Sequence, residues 1–247
     1  REQTPISAQR PTIIIAPKGL LKNWMKEVEI HLGTNGLGHI LEAYGSNLKR
    51  LKSGIGPGTE FDNGVPLLDI AKLNKAEVIL TTYESLRDYH HSFARVSFGC
   101  VVFDEIQKIK NPKSLISKCA ATLNGDFSIG LSGTPVENSM ADLWTIFDIL
   151  ATGFLNFSLE EFLELFSGDP EDPESKLVLE KLHSELLDPG DDHIAPILRR
   201  MKDVVFKDAG PDGKPMPQKI IIPVATTCQI MPPVQSSLYS DYHNRVL

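Results

Sequence analysis

The segment Cys100–Asn111, CVVFDEIQKIKN, restricts the possible folds more than any other part of the chain. Cys100 to Phe103 form an unbroken apolar run that ends in two carboxylates, Asp104 and Glu105. Such a run bounded by polar residues is the pattern of a strand buried on both faces of a parallel sheet. In open α/β sheets ligands bind outside the carboxyl ends of the strands, so the acidic pair is expected to project into a ligand crevice. There, one carboxylate can hold a Mg2+ ion that keeps several waters, while the other orients an attacking water. The structural alternative has Asp104 capping the helix that follows and Glu105 merely solvated. Residues 100–111 by themselves leave both open.

A second segment shifts the balance. Residues 127–138 read FSIGLSGTPVEN. Phe127–Leu131 is another short apolar strand, and Ser132-Gly133-Thr134-Pro135 follows at its carboxyl end. Gly133 permits a tight turn and Pro135 restrains the exit. Two hydroxyls at such a turn can sense a phosphate or relay the state of the carboxylates. A strand-to-helix loop capped by Asn138 or Ser139 would account for this segment alone, but not for its place after DEIQ on a neighbouring strand. A nucleophilic serine fails on spacing, because Gly130-Leu131-Ser132-Gly133-Thr134 lacks the last glycine of a G-x-S-x-G elbow.

Along the rest of the chain, Thr12–Ala16, Ile40–Tyr44, Glu77–Thr82 and Lys219–Ala225 read as strands. Gly19–Leu32 reads as an amphipathic helix with Leu21, Trp24, Met25, Val28 and Leu32 on one face. On that stripe Trp24 is a packing residue rather than a base-stacking platform. Gly45–Gly64, rich in Gly, Lys and Asn, reads as a mobile loop. Helices are expected over Tyr83–Phe93 and Pro112–Leu123, and after Ser139, where Met140, Leu143, Trp144, Phe147 and Leu150 form an apolar stripe. A capping box at Ser158 and Glu161 opens the next helix. Further helices are expected over Glu174–Leu187, around Ile194–Met201 and over Pro232–Leu247. The fold class is α/β, a mostly parallel sheet with flanking helices.

Composition bounds the chemistry. The 247 residues, 41% hydrophobic and 23% charged, suffice for a real core and are ordinary for a globular protein. No apolar run is long enough to cross a bilayer and no signal peptide is recognisable, so no membrane partner is expected. Three cysteines without a C-x-x-C fit a reducing compartment, and a cytoplasmic location is expected, nucleoid-associated if the source is bacterial. The seven histidines show no zinc-site spacing; His90-His91 are adjacent and read as a solvated helix face. A net charge of −7 argues against a free-standing DNA binder, although the acidic stretches Asp169–Glu174 and Asp188–Asp192 read as solvated loops.

Four segments, TIIIAPKGLLKNW, VILTTYESL, VVFDEIQKIKN and GLSGTPVENSMADLWTIFDIL, resemble in order motifs Ia, Ib, II and III of the Swi/Snf-type helicase-like ATPases of helicase superfamily two. DEIQ with GTPVEN is closer to the bacterial style of that family. The runs Leu198–Lys202, Met216–Lys219 and Gln235–Tyr239 resemble the end of the same first motor lobe. The resemblance implies a RecA-like lobe core over 1–138, a helical protrusion and return over 139–218, and a last core strand and helix over 219–247 leading toward a second lobe. It implies that Asp104 holds magnesium through water and that Glu105 polarises the attacking water, with Mg2+ and ATP as cofactors of the parent protein. It implies that Gln107, Ser132, Gly133 and Thr134 couple nucleotide state to DNA grip. Gln107 stands where many relatives carry His, and its amide can both donate and accept. Pro17, Lys18, Thr81 and Thr82 match positions that touch DNA phosphates, and backbone N–H groups near the start of the Lys18 helix can add to that contact. For Thr81 and Thr82 a strand end with a capped turn is the plainer alternative. Lys108 and Lys110 either face DNA or form a solvated pair. Arg199 and Arg200 are expected to brace the interlobe region, or else to form a surface salt bridge.

The expected partner is double-stranded DNA, gripped through its phosphates by a motor that uses ATP to translocate or remodel. The alternatives are a non-catalytic protein- or nucleic-acid-binding scaffold built on the same lobe and an unrelated Mg2+-dependent phosphohydrolase using Asp104. No G-x-x-x-x-G-K-S/T sequence occurs; the lone Gly-Lys pair, Gly213-Lys214, is followed by Pro215. The chain therefore reads as a fragment with the acidic half of an ATP site and without the first strand, the P-loop and the second lobe. Loss of the P-loop strand would expose a sheet edge at Phe127–Leu131, open to self-association. No ATP or Mg2+ is expected to stay bound to the fragment. The isolated chain is predicted to hydrolyse ATP negligibly; DNA-stimulated phosphate release well above that of an Asp104→Asn control would contradict this.

Overall fold

The structure, a computed structural model, describes residues 10–33, 36–53, 58–133, 139–166, 172–187 and 195–198. Its strands are β1 (Thr12–Ile15), β2 (Ile40–Glu42), β3 (Val78–Thr81), β4 (Ser97–Phe98), β5 (Cys100–Asp104), β6 (Asn124–Gly125) and β7 (Ser128–Leu131). Its helices are α1 (Lys18–Leu32), α2 (Leu48–Leu51), α3 (Glu60–Asn63), α4 (Ile70–Lys75), α5 (Tyr83–Asp88), α6 (His90–Phe93), α7 (Leu115–Ala120), α8 (Met140–Leu150), α9 (Leu159–Phe166) and α10 (Pro173–Leu187). The principal sheet has the order β2-β3-β1-β5-β7, and every pairing in it is parallel. β4 and β6 form a separate short parallel pair. The expected mostly parallel α/β architecture is therefore present.

Strand periodicity explains the two-sided core. Ile13, Ile15, Ile79, Val101 and Phe103 point into one cluster with Tyr83 and Leu86 of α5 and Ile146 of α8. Ile14, Ala16, Val78, Leu80 and Val102 point into the other, where Leu21, Trp24 and Met25 of α1 cover them. A strand covered on both faces has no reason to alternate polar and apolar residues, and all four residues of β3 are buried. Each large side chain so withdrawn from water contributes about 1.5–3 kcal/mol. At Gly130 of β7 an added Cβ would lie 2.6 Å from Ile106 Cδ1 and 3.0 Å from Leu150 Cδ1, so glycine lets α8 and the turn after β5 close on the strand. Among the described residues the outer side of β7 is a sheet edge.

Several local expectations need correction. Leu32 does not join the packed stripe of α1 and is 53% exposed; a 15-residue helix is about 22 Å long and overhangs a four-residue strand of about 13 Å. The segment 45–64 is not simply a mobile loop. Leu48 and Leu51 are buried, Ser53 N–H donates to Leu67 O at 2.8 Å, and Asp69 N–H donates to Leu51 O at 2.7 Å. The helix expected over Tyr83–Phe93 breaks at Tyr89 (φ −129°, ψ 32°), whose ring is buried. His90 and His91 are half-buried, with ring centroids 4.0 Å apart, rather than solvated. The helix expected from Pro112 starts at Leu115, because Asn111 Oδ1 accepts from Lys113 N–H in a turn and Ser114 then caps. Ala195–Leu198 is not helical: Pro196 lacks a donor and disfavours helical backbone at Ala195. Arg199, Arg200, Lys219–Ala225 and Pro232–Leu247 lie outside the described residues.

Ser139 caps α8, as the capped-loop alternative for residues 127–138 had it, and the Ser158–Glu161 capping box is as expected. Ser139 Oγ accepts from Asp142 N–H, and Ser158 and Glu161 exchange side-chain to backbone bonds of 2.8 and 3.3 Å. Two compact units divide the chain, Arg1–Leu182 and His183–Leu247. In the second, the described residues are the end of α10 and 195–198, where Ile197 N–H donates to Leu186 O at 3.1 Å. Among the described residues no helix is long and apolar enough to cross a membrane.

Glu60 is fully buried and ties the 58–68 segment to α6. It accepts from Leu67 N–H at 2.6 Å, from Ser92 N–H at 2.8 Å and from the Ser92 hydroxyl. Glu60→Ala would strand these donors and is predicted to lower stability by about 3 kcal/mol, measured by urea unfolding. Glu84→Ala, an exposed control, should change it by less than about 0.5 kcal/mol. Equal effects of the two would contradict the anchoring role.

Candidate functional site

The parallel register brings distant segments to one edge of the sheet. Ile15 lies opposite both Thr81 and Phe103, and Asp104 lies opposite Leu131. Pro17, Thr82, Glu105 and Ser132 therefore all follow strand ends on the same side, with Asp104 at the end of β5, at the carboxyl edge where α/β sheets bind ligands.

Asp104 is the last residue of β5 and is half-buried. Its Oδ2 accepts from the Trp24 indole Nε1–H at 2.8 Å, and its backbone carbonyl accepts from the Tyr83 hydroxyl at 2.8 Å. Burial, then the negative charges of Asp104 and Glu105, raise the pKa of Tyr83 well above its ordinary value. That hydroxyl thus stays protonated and keeps donating. Oδ1 of Asp104 makes no hydrogen bond to another described residue.

Glu105 adopts left-handed backbone (φ 54°, ψ 53°) and precedes a 3-10 turn over Ile106–Ile109. For a residue with a side chain this costs on the order of 1–3 kcal/mol. In this conformation the Glu105 side chain meets Gln107 of the turn that follows. Gln107 Nε2–H donates to Glu105 Oε2 at 2.5 Å, and Ser132 Oγ–H donates to Gln107 Oε1 at 2.7 Å. Both ends of one amide are in use, and the chain Ser132–Gln107–Glu105 links β7 to the acidic pair. Neither carboxylate caps a helix, so the structural alternative for this pair does not describe its contacts. Gly133 follows Ser132, and a Cβ added to it would meet nothing within 4 Å; Thr134 lies outside the described residues.

The donor set can be tested against a metal. Carboxylate oxygens are hard ligands suited to Mg2+, which is held by one or two carboxylates together with waters and substrate phosphates rather than by an all-protein cage. Among the described residues no group of three or more His, Cys, Asp or Glu could hold an ion alone. Asp104 Oδ1, which has no hydrogen-bond partner among the described residues and lies beside a second carboxylate, fits a magnesium carried in with a phosphate ligand.

The positions expected to meet DNA divide in two. Pro17 stands at the N-terminus of α1, Lys18 and Gly19 are exposed, no side chain caps this end and no acidic residue lies in its first turn. Thr81 is fully buried and its hydroxyl donates to Ala43 O at 2.8 Å. Thr82 is buried and caps α5, accepting from Ser85 N–H and donating to Ser85 Oγ, both at 3.1 Å. Both threonine hydroxyls are thus engaged inside the fold, as the capped-turn alternative has it. Lys110 is not a solvated lysine. It pairs with Asp142 of α8 at 3.3 Å, an ion pair outside hydrogen-bond geometry, with both side chains mostly buried. Lys108 is exposed.

Reading the sequence missed Trp24, Tyr83 and the Lys110–Asp142 pair as neighbours of the site. Periodicity identified Trp24 as a packing residue, and it does pack; nothing local signals that its N–H reaches a carboxylate 80 positions away.

A family model described as the SNF2-related domain matches residues 1–241. Zorya protein ZorD of Escherichia coli O139:H28 is 36% identical over 215 residues, which are 85% of this chain and 18% of that protein. An uncharacterized ATP-dependent helicase of Mycoplasma pneumoniae is 27% identical over 96% of this chain and 19% of its own length. TATA-binding protein-associated factor mot1 of Schizosaccharomyces pombe is 27% identical over 84% of this chain and 10% of its own length. The chain thus spans a fifth or less of these curated relatives. The solved Sulfolobus solfataricus SWI2/SNF2 ATPase core in complex with double-stranded DNA superposes with a TM-score of 0.58 at 29% identity, covering 83% of this chain and 36% of that one. With its parallel sheet, its acidic pair at the end of β5 and this match over nearly every residue, the chain belongs to the SNF2-related domain family and has the RecA-like fold of an SNF2 ATPase lobe.

Proposed function

We propose that this chain is the acidic half of the ATP site of a DNA-dependent motor that translocates on, or remodels, double-stranded DNA. The observation that carries the reading is the Ser132–Gln107–Glu105 chain beside Asp104. Asp104 would hold Mg2+ through water with its open Oδ1, and Glu105 would orient the attacking water and take up its proton. When bound there, Mg2+ would supply charge neutralisation at the phosphates of ATP. Gln107 holds the Glu105 carboxylate, so a movement of Ser132 at the end of β7 is felt at the water-activating group. This is the coupling role assigned to Gln107, Ser132, Gly133 and Thr134.

The N-terminus of α1 supports a phosphate contact by Lys18 and the first backbone N–H groups, with Pro17 fixing the entry of the chain. Such contacts position a protein on DNA without reading sequence. The contribution of Thr81 and Thr82 is indirect in this reading: their buried hydroxyls shape the end of β3. Residues 1–138 serve as the lobe core, 139–218 as the helical protrusion and 219–247 as the path to a second lobe. The isolated chain is inactive because it holds no G-x-x-x-x-G-K-S/T sequence.

In the full-length protein, Asp104→Asn and Glu105→Gln are each predicted to reduce DNA-stimulated ATP hydrolysis at least about 100-fold. Duplex binding in the absence of nucleotide should be nearly unchanged. Turnover within a few-fold of the unsubstituted protein would contradict the assignment. Lys18→Ala is predicted to weaken duplex binding equally across sequences and to lower the slope of log affinity against log salt by about 1, measured by fluorescence anisotropy. A loss that depends on base sequence, or an unchanged slope, would argue against a phosphate contact.

A further inference from the structure

Asp104 is held from both faces of the sheet. Tyr83, in the cluster with Ile13, Ile79 and Phe103, fixes its backbone carbonyl. Trp24, packed among Ile14, Leu80 and Val102 on the opposite face, fixes Oδ2 of its side chain. The indole N–H therefore determines which carboxylate oxygen remains open, and Oδ1 is the one without a partner among the described residues. Trp24 also belongs to α1, the helix that starts at Lys18. Six helical steps separate the two, about 9 Å along the axis.

We propose that Trp24 is a positioning residue for the metal-binding carboxylate: its indole N–H holds Asp104 with Oδ1 turned outward and makes α1 responsive to what that carboxylate binds. The proposal rests on the reading of Asp104 as the Mg2+ site. A carboxylate free to rotate about its terminal bond presents two equivalent oxygens, whereas one anchored at Oδ2 presents a single oxygen in one direction. Groups that orient a metal ligand from behind typically set metal affinity by 10- to 100-fold. The anchoring donor here sits on the same helix as the proposed phosphate contact. A shift of Asp104 toward a bound ion pulls on Trp24, and a pull on α1 from Lys18 shifts Asp104.

The test uses Trp24→Phe, which keeps most of the packed ring and removes the N–H, in the full-length protein. The affinity for ADP is measured by calorimetry with EDTA and across a Mg2+ titration. The expected result is an unchanged affinity in EDTA, an unchanged melting temperature, and a Mg2+ requirement for half-maximal tightening raised about tenfold. A Mg2+ requirement within twofold of the unsubstituted protein overturns the proposal and leaves the magnesium site itself intact. If the unsubstituted protein shows no Mg2+-dependent ADP affinity, or if Asp104→Asn leaves that dependence in place, both the proposal and the reading beneath it fail. Should Trp24→Phe fail to fold, amide exchange of residues 18–26 in the unsubstituted protein decides the matter. Adding Mg2+ at saturating ADP should slow exchange there, and no change overturns the proposal.

Discussion

Everything at this site depends on parallel strand pairing. β1, β3, β5 and β7 run the same way, so the four segments that leave their carboxyl ends emerge side by side. An antiparallel partner anywhere among them would send one segment to the far edge. The pairing is enforced by burial. Alternate residues of β1, β3 and β5 fill two different cores, and a one-residue slip of any strand would exchange them. Ile106 and Leu150, closing over Gly130, hold β7 to the same arrangement.

On that frame the two carboxylates of the acidic pair are held differently. Asp104 ends the strand in regular geometry and is gripped by two aromatic residues. Glu105 leaves the strand in left-handed backbone, which aims it sideways at Gln107. The strained residue is the one assigned to the attacking water, and the strain is held by the Gln107 amide and by burial of Ile106 beneath it. Lys110, paired with Asp142, fastens the same turn to α8.

Much of this was legible in the sequence, for physical reasons. A strand buried on both faces must be a continuous apolar run, so β3 and β5 stood out, and the polar residues ending each run marked the edge. Ser158 and Glu161, three positions apart before an apolar helix, announced their own reciprocal bonds. The errors came where a distant contact overrode local composition. Glycines around Leu48 and Leu51 disguised a helical turn that the core captures, and nothing local singled out Glu60, which Ser92 and Leu67 close on. The helix expected around Ile194 ignored Pro196. Thr81 and Thr82 were weighed between DNA and the fold, and only the position of Ala43 and Ser85 shows where the hydroxyls go. The indole bond from Trp24 to Asp104 has no local signature at all, since periodicity reports which face a residue occupies and not what its one polar atom meets.

The central claim is that the position of Glu105 is set from β7 through Gln107. A double-mutant cycle on DNA-stimulated ATP turnover of the full-length protein, combining Gln107→Ala and Ser132→Ala, tests it most directly. Because both residues act through one chain of hydrogen bonds, the double variant should be no slower than the slower single variant, a coupling of about 1 kcal/mol or more. Effects that simply add would mean that Ser132 and Gln107 act separately, and the proposed link between β7 and the water-activating carboxylate would be wrong.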